Sequence, residues 1–374
     1  MVDDAARDPI DKQDDAETID DDRSREEAAG EHESEDDEQR DYEQADGDQD
    51  DDWDDEEWDD DDQDDDWDHE EAAEDVEPVS LWRRTRRLRR VLVVLLLLFL
   101  AVIGGAVLNN NVSFSGKTRA EFEEELDSGL EASIEWVTRQ QVYLAGRESN
   151  PMLLFMIRDM HETAANPEFA NMLKIFMRTH PNPANIWRRM VDPQAEVADI
   201  DREAIDVQSD YQRWFAYAMS PEDYPLTEED HASMLDPHRH RRGSLTHQLL
   251  ALLLIQDQGR ADENVETLMN ILCERIAFEA AVDIRVTDLY LQRVECLLAA
   301  GRPDLVKRRW IERILGYQQP DGGFMDSWHG WGPGVFRLHF DYEKPIPHAT
   351  IQGVWVLYLI KHRYPEWVEE HYPS

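Results

Sequence analysis

Past residue 119 the sequence has almost no strand signal and no Gly-, Ser- or Pro-rich linker. The first absence excludes sheet-based architectures; the second favours one domain across 119–374, a length sufficient for a sizeable core. Cysteine is nearly missing as well: Cys273 and Cys296 are the only two, so at most one disulfide can form. Outside a single arginine block, no basic patch is dense enough to follow a phosphate backbone, which excludes nucleic acid as a partner. No cofactor motif is present, and no metal set. His238, His240 and His247 form the densest histidine group, but Arg239, Arg241 and Arg242 crowd it with positive charge that opposes a cation.

Acid, by contrast, is abundant and unevenly placed. Residues 1–78 hold 42 Asp/Glu against 5 Lys/Arg, a net charge of −37, out of −46 for the whole chain. Such a stretch has too few apolar residues to offset the entropy of ordering it, so residues 1–80 are expected to be a disordered acidic tail. Trp53, Trp58 and Trp67 interrupt the acid run. Acid-flanked aromatics suit short motifs that dock on a basic protein partner, although a solvated tail with incidental tryptophans fits the same pattern.

The longest hydrophobic run follows at once. Arg83, Arg84, Arg86, Arg87, Arg89 and Arg90 (residues 81–90) lead directly into Val91–Leu108, 18 residues without a charge. As a helix this run is about 27 Å long, enough to cross a hydrocarbon core. Arginine on one flank only predicts an uncleaved signal-anchor with the N-terminus cytoplasmic, a linker over 109–118 and an extracytoplasmic domain beyond it. The arginines would lie at the anionic membrane surface. A cleaved signal peptide is disfavoured by the 90 residues in front. The sequon Asn111-Val112-Ser113 sits so close to the membrane that it is expected to be unused.

From Arg119 onwards the periodicity is helical. Phe122, Leu126, Leu130, Ile134 and Val137 recur every three or four residues, as one apolar face requires. Ser149-Asn150-Pro151 and Asn166-Pro167 read as helix starts. Further helical runs are expected over 202–219, 244–256, 263–282, 287–299, 303–317 and 348–362, with Gly259, Gly301 and Gly316 as C-caps. Leu249–Ile255 is apolar on every face and predicts a fully enclosed helix. These signals give an all-α domain of about ten helices, toroid-like, with an irregular bundle or short solenoid as the alternative.

Two resemblances bear on this. Gln318-Gln319-Pro320-Asp321-Gly322-Gly323-Phe324 is similar to the Q-x3-G-x-(W/F) repeat of terpene cyclases and other α/α-toroid proteins, where it links an outer helix to the next inner one. The acidic D-x-D-D of class II cyclases does not occur after residue 78, and the zinc pattern of protein prenyltransferases is missing, which argues against both activities. The segment Asp288–Phe324 resembles the C-terminal part of an uncharacterised family of secreted animal proteins, best over 273–324. That family carries a D-L-(F/Y) start, a cysteine at the position of Cys296, an R-W-(L/I)-E-x-I-L helix and a following Q-(K/Q)-P. The resemblance implies an extracytoplasmic all-α domain and supplies no catalytic residue.

Several side chains are candidates for ligand binding. His247, Asp288, His348 and Gln352 fall at or near helix N-termini, which in a toroid line one mouth of the cavity. Asp326, Trp328, His329 and Trp331 belong to an aromatic, glycine-rich loop over 324–340; aromatic platforms beside acids suit sugar rings, and paired carboxylates such as Asp321 and Asp326 can cleave glycosidic bonds. Capping and core hydrogen bonds are the plainer role for all of them. Cys273 and Cys296 fit either a disulfide between neighbouring helices or two buried thiols. The sequence thus points to a membrane-tethered binding or scaffold protein, with an anchored toroid enzyme acting on a carbohydrate or lipid-linked substrate as the alternative.

Overall fold

A computed structural model of the protein describes residues 78–146, 150–238, 244–325 and 344–374. The acidic tail up to residue 77 therefore lies outside the described residues, as do Asp326, Trp328, His329 and Trp331. Among the described residues the chain forms fifteen α-helices and no strand. In order they are α1 (Pro78–Asn111), α2 (Arg119–Arg139), α3 (Gln141–Gly146), α4 (Pro151–Thr163), α5 (Pro167–Thr179), α6 (Arg188–Val191), α7 (Arg202–Asp206) and α8 (Asp210–Met219). Then come α9 (Glu228–Leu235), α10 (Ser244–Asp257), α11 (Glu263–Val282), α12 (Asp288–Ala299), α13 (Arg308–Tyr317), α14 (Pro347–His362) and α15 (Pro365–His371).

Local chemistry explains most boundaries. Thr118 and Glu121 form a reciprocal capping box that starts α2. Asn166 accepts the Glu168 and Phe169 backbone N–H groups at the head of α5, where Pro167 supplies a fixed φ. Asp262 accepts from the Val265 N–H and starts α11. Gly259 and Gly301, at φ 67° and 75°, end α10 and α12 as expected. Gly316 does not cap: it lies within α13, one residue before its end. The expected helix over 202–219 is two, broken at Val207–Ser209, and 303–317 is a 3₁₀ turn over Pro303–Leu305 followed by α13. Short elements such as α3, α6, α9 and α15 lift the count well above ten, because pieces of four to eight residues carry too little periodicity to be read.

Five helices share one direction. Trp355 on α14 donates to Asp159 on α4, and Tyr358 one turn later donates to the carbonyl of Ala164, so these two run parallel. Asp288 faces His348 across the starts of α12 and α14. Thr246 near the start of α10 donates to Gln292 on α12. Tyr211 at the head of α8 stacks on His247 of α10. The N-terminal ends of α8, α10, α12 and α14 thus gather at one end, and α11 returns antiparallel against both α10 and α12. The shared helices are enclosed. Ala349–Ile360 is buried without interruption and so is Leu249–Leu254, as expected for a run apolar all round. A buried leucine contributes about 1.5–3 kcal/mol, and truncating one to alanine in such a site costs about 2–5 kcal/mol.

The motif after α13 is a structural staple. Gln318 donates to the Gly129 carbonyl at 2.6 Å, to Ser133 at 2.5 Å and to the Gly322 carbonyl at 3.2 Å, tying the turn to α2. Gly322 sits at φ 93°, and a Cβ there would lie 2.2 Å from the Ala132 carbonyl oxygen. Only glycine meets both conditions. Phe324 then folds back on Gly353 of α14.

The long apolar run is the second half of α1. Leu88–Asn111 is long and apolar enough to cross a membrane, with mean hydropathy 3.2 over its most apolar stretch, which is not buried. Its last turn, expected to open into a linker, is instead fastened to the helical domain. Asn110 is 1% exposed. It donates to the carbonyls of Ala280 and Ala281 at 2.8 and 3.0 Å and accepts from Tyr290 and Arg313. Asn111 is engaged by the carbonyls of Val107 and Ala281 and by Lys307, so the amide of the sequon is already bonded. Arg309 donates to the Asn109 carbonyl at 3.0 Å. A cation at the negative end of the helix satisfies an orphan carbonyl and complements the dipole.

Candidate functional site

The helix starts bring together three of the four mouth residues. Asp288 is the first residue of α12 and His348 the second of α14; Oδ2 and Nδ1 are 3.9 Å apart, and each side chain is 34% exposed. One turn deeper, Gln352 Nε2 meets His348 Nε2 at 3.1 Å, while its Oε1 has no hydrogen-bond partner. His247 lies at the same end but turns towards α8, stacked on Tyr211 at 4.3 Å and tilted against Phe215 at 6.3 Å.

The floor beneath this rim is polar too, and sequence reasoning missed it. Gln292 accepts from Thr246 at 2.7 Å, and both are buried. Glu295, one turn further down α12, is 0% exposed, and neither carboxyl oxygen has a hydrogen-bond partner among the described residues. Burial, with the nearby charge of Asp288 adding to it, pushes the Glu295 carboxyl well above the ordinary range, so the neutral form is favoured. The signal was legible in principle. Asp288, Gln292 and Glu295 recur at four and three residues along an otherwise apolar helix, which places all three on one face. A buried carboxyl without partners requires an explanation, because leaving it so costs about 1–3 kcal/mol.

The other candidates separate from this group. Asp321 is exposed in the turn after α13; its side chain accepts the Gly323 N–H at 3.0 Å and its carbonyl binds Arg139, which is a capping role. Cys273 and Cys296 are separate buried thiols. Cys296 directs its sulfur at the Thr246 carbonyl of α10, 3.7 Å away. Burial raises both, Cys273 to about 11, which makes them unreactive hydrophobes. Arg86, Arg89 and Arg90 are exposed on α1 just before the apolar run; Arg83, Arg84 and Arg87 lie on the same helix. Among the described residues no group of three or more His, Cys, Asp or Glu is placed to hold a metal ion.

What remains is a graded polar cluster: a partly exposed Asp288–His348 pair over the Gln352 and Gln292 carboxamides, with the fully buried Glu295 carboxyl one turn deeper. Its outer groups can donate and accept hydrogen bonds from a ligand with several hydroxyl or carbonyl groups. Two carboxyl groups lie on one helix face. Comparison of the chain with family models, with curated proteins and with solved structures gives no match.

Proposed function

We propose that the protein is a single-pass membrane protein whose all-α domain binds a polar, polyhydroxylated ligand, such as a carbohydrate, at the N-terminal end of its parallel helices. The observation that carries this reading is Glu295, a fully buried carboxyl with no hydrogen-bond partner among the described residues, lying under the Asp288–His348 pair. A bound hydroxyl or carbonyl group gives that acid the partner it lacks. The alternation of α10, α12 and α14 with antiparallel α11 supports a toroid-like arrangement of inner and outer helices. Six arginines on one side of the span support a cytoplasmic N-terminus and an extracytoplasmic domain. The resemblance to secreted proteins over 273–324 supports the same side. On the cytoplasmic side, the acid-flanked Trp53, Trp58 and Trp67 support docking of a basic protein.

An enzymatic version would use the two carboxyls of this face. Asp288 and Glu295 lie two turns apart, about 10.5 Å along the axis, beyond the roughly 6.5–9.5 Å carboxyl spacing of inverting glycosidases, so a substrate would have to draw them closer. The Glu295 proton would serve as the acid and Asp288 as the base. The test uses the full chain in detergent, melted with a panel of sugars and lipid-linked glycans. A hit is expected to raise Tm in the wild type and not in Asp288→Asn, and release of reducing sugar separates the enzyme from the binder. Absence of any shift across the panel refutes the carbohydrate reading. Protease added outside sealed vesicles tests the topology: removal of the acidic tail with the domain spared overturns it.

A further inference from the structure

A cleft apart from the Asp288–His348 cluster opens where α1 meets α13. It has a volume of about 430 Å³ and is lined by Ala106 and Asn109 of α1, Ile284, and Arg309, Arg313 and Gly316 of α13. Its composition changes along α1. Ala106 belongs to the apolar run, whereas Asn109 is the first residue past it, so the cleft straddles the height at which a bilayer's acyl chains give way to head groups. The two guanidinium groups stand at the head-group level. Arg309 gives Nε to the Asn109 carbonyl and Arg313 gives NH2 to the Ile284 carbonyl at 2.7 Å; each guanidinium has five N–H donors, so several are left for a ligand. Glu312 also lines the cleft; its carboxylate is held by Ser113 at 2.7 and 2.8 Å and by Arg308 at 2.8 Å and lies 3.6 Å from Arg309 NH1, so the cleft sets two arginines against one shared carboxylate.

We propose that this cleft is a binding site for an anionic phospholipid, with the phosphate on Arg309 and Arg313 and the upper acyl chain along Ala106 and Ile284. The proposal rests on the reading of α1 as a membrane span. Arginine suits the role, because its planar fork matches phosphate oxygens in pairs. The glycine at 316 keeps the acyl slot open: a Cβ there meets nothing within 4 Å. Lipid held in this way would fix the domain's height and tilt above the bilayer, since the same arginines also hold the end of α1.

The full chain is first reconstituted in liposomes and extracted at alkaline pH; release from the pellet sinks the membrane span. The protein is then solubilised, and retained lipid is counted by native mass spectrometry with phosphatidylglycerol or phosphatidylcholine supplied. Wild type is expected to retain one phosphatidylglycerol with about tenfold preference over phosphatidylcholine. Arg309→Gln should lose about tenfold in that preference. Gly316→Leu, whose Cβ meets nothing within 4 Å and whose longer side chain projects into the slot, should lose both lipids. Arg302→Gln, remote from the cleft, should bind as the wild type. Equal retention of the two lipids overturns the proposal, as does wild-type binding by Gly316→Leu. Inorganic phosphate displacing the lipid at equal concentration also overturns it in favour of a simple anion site. Lipid retained by protein that failed the alkaline test would separate the cleft from the span.

Discussion

Replacing Glu295 by methionine should stabilise the protein, although it removes a fully buried residue from the middle of α12. Methionine has a similar volume and flexible shape, so the packing loss is small. The gain comes from deleting a carboxyl that has no hydrogen-bond partner, worth about 1–3 kcal/mol. In a domain of this size 1 kcal/mol moves Tm by about 2–4 °C, so a rise of about 2–12 °C is expected at pH 7. The pH dependence is a sharper measure. The folded protein holds the Glu295 carboxyl well above the ordinary 4.5 because of burial and then Asp288, so the unfolded chain loses this proton first as pH rises. Its contribution to stability is therefore fully present below pH 4.5 and falls as pH climbs towards the folded-state value. The slope is at most about 1.4 kcal/mol per pH unit. Thermal melts of the wild type and Glu295→Met from pH 4 to 8 should diverge steadily, with Glu295→Gln, which keeps the shape, showing the same loss of slope. Parallel curves for all three proteins, or a lower Tm for Glu295→Met at pH 7, would refute a buried neutral acid.

Two further perturbations probe how the pieces are joined. Asn110→Leu removes the bonds to Ala280, Ala281, Tyr290 and Arg313 and strands their buried partners, about 3–5 kcal/mol in all. Tryptic cleavage after Lys117 should accelerate by about 100-fold or more as α1 detaches, while the core melt barely changes; an unaltered cleavage rate would mean that the junction bears no load. Gly322→Ala forces a side chain into φ 93° and against the Ala132 carbonyl at 2.2 Å, so it should cost more than about 3 kcal/mol by chemical denaturation. Gly316→Ala, inside α13 with open space around it, should instead gain up to about 1 kcal/mol, and equal effects at the two positions would contradict the staple.

The carboxyl at Glu295 also illustrates where sequence reasoning stops. Asp288, His348 and Gln352 were recognisable because a helix start is a local event, and polar residues at such starts are conspicuous. Gln292 and Glu295 lie mid-helix among apolar neighbours and read as the polar side of an amphipathic face. Periodicity places residues on one face of a helix but does not say whether that face meets solvent or another helix. For α12 the polar face meets α10 and α14, which shut away Gln292 and Glu295 and leave Asp288 partly exposed at the helix start. His247 shows the same limit: it is at the same end of the fold, and it is the packing of α8 that sets its ring on Tyr211.

By itself the sequence determined what depends on neighbours along the chain. The arginine block running into 18 uncharged apolar residues, the caps at Thr118 and Asn166, the enclosed run at Leu249 and the glycine turns at 259 and 301 all follow from local charge, periodicity and backbone freedom. Tertiary structure alone decided which ends meet. It set Glu295 under Asp288 and His348, left Cys273 and Cys296 as two separate buried thiols, and extended α1 into the expected linker as a bonded junction through Asn110. Those outcomes depend on which helices pack together across more than a hundred residues of chain, and such pairings are settled by the burial of whole faces at once, not by any local pattern.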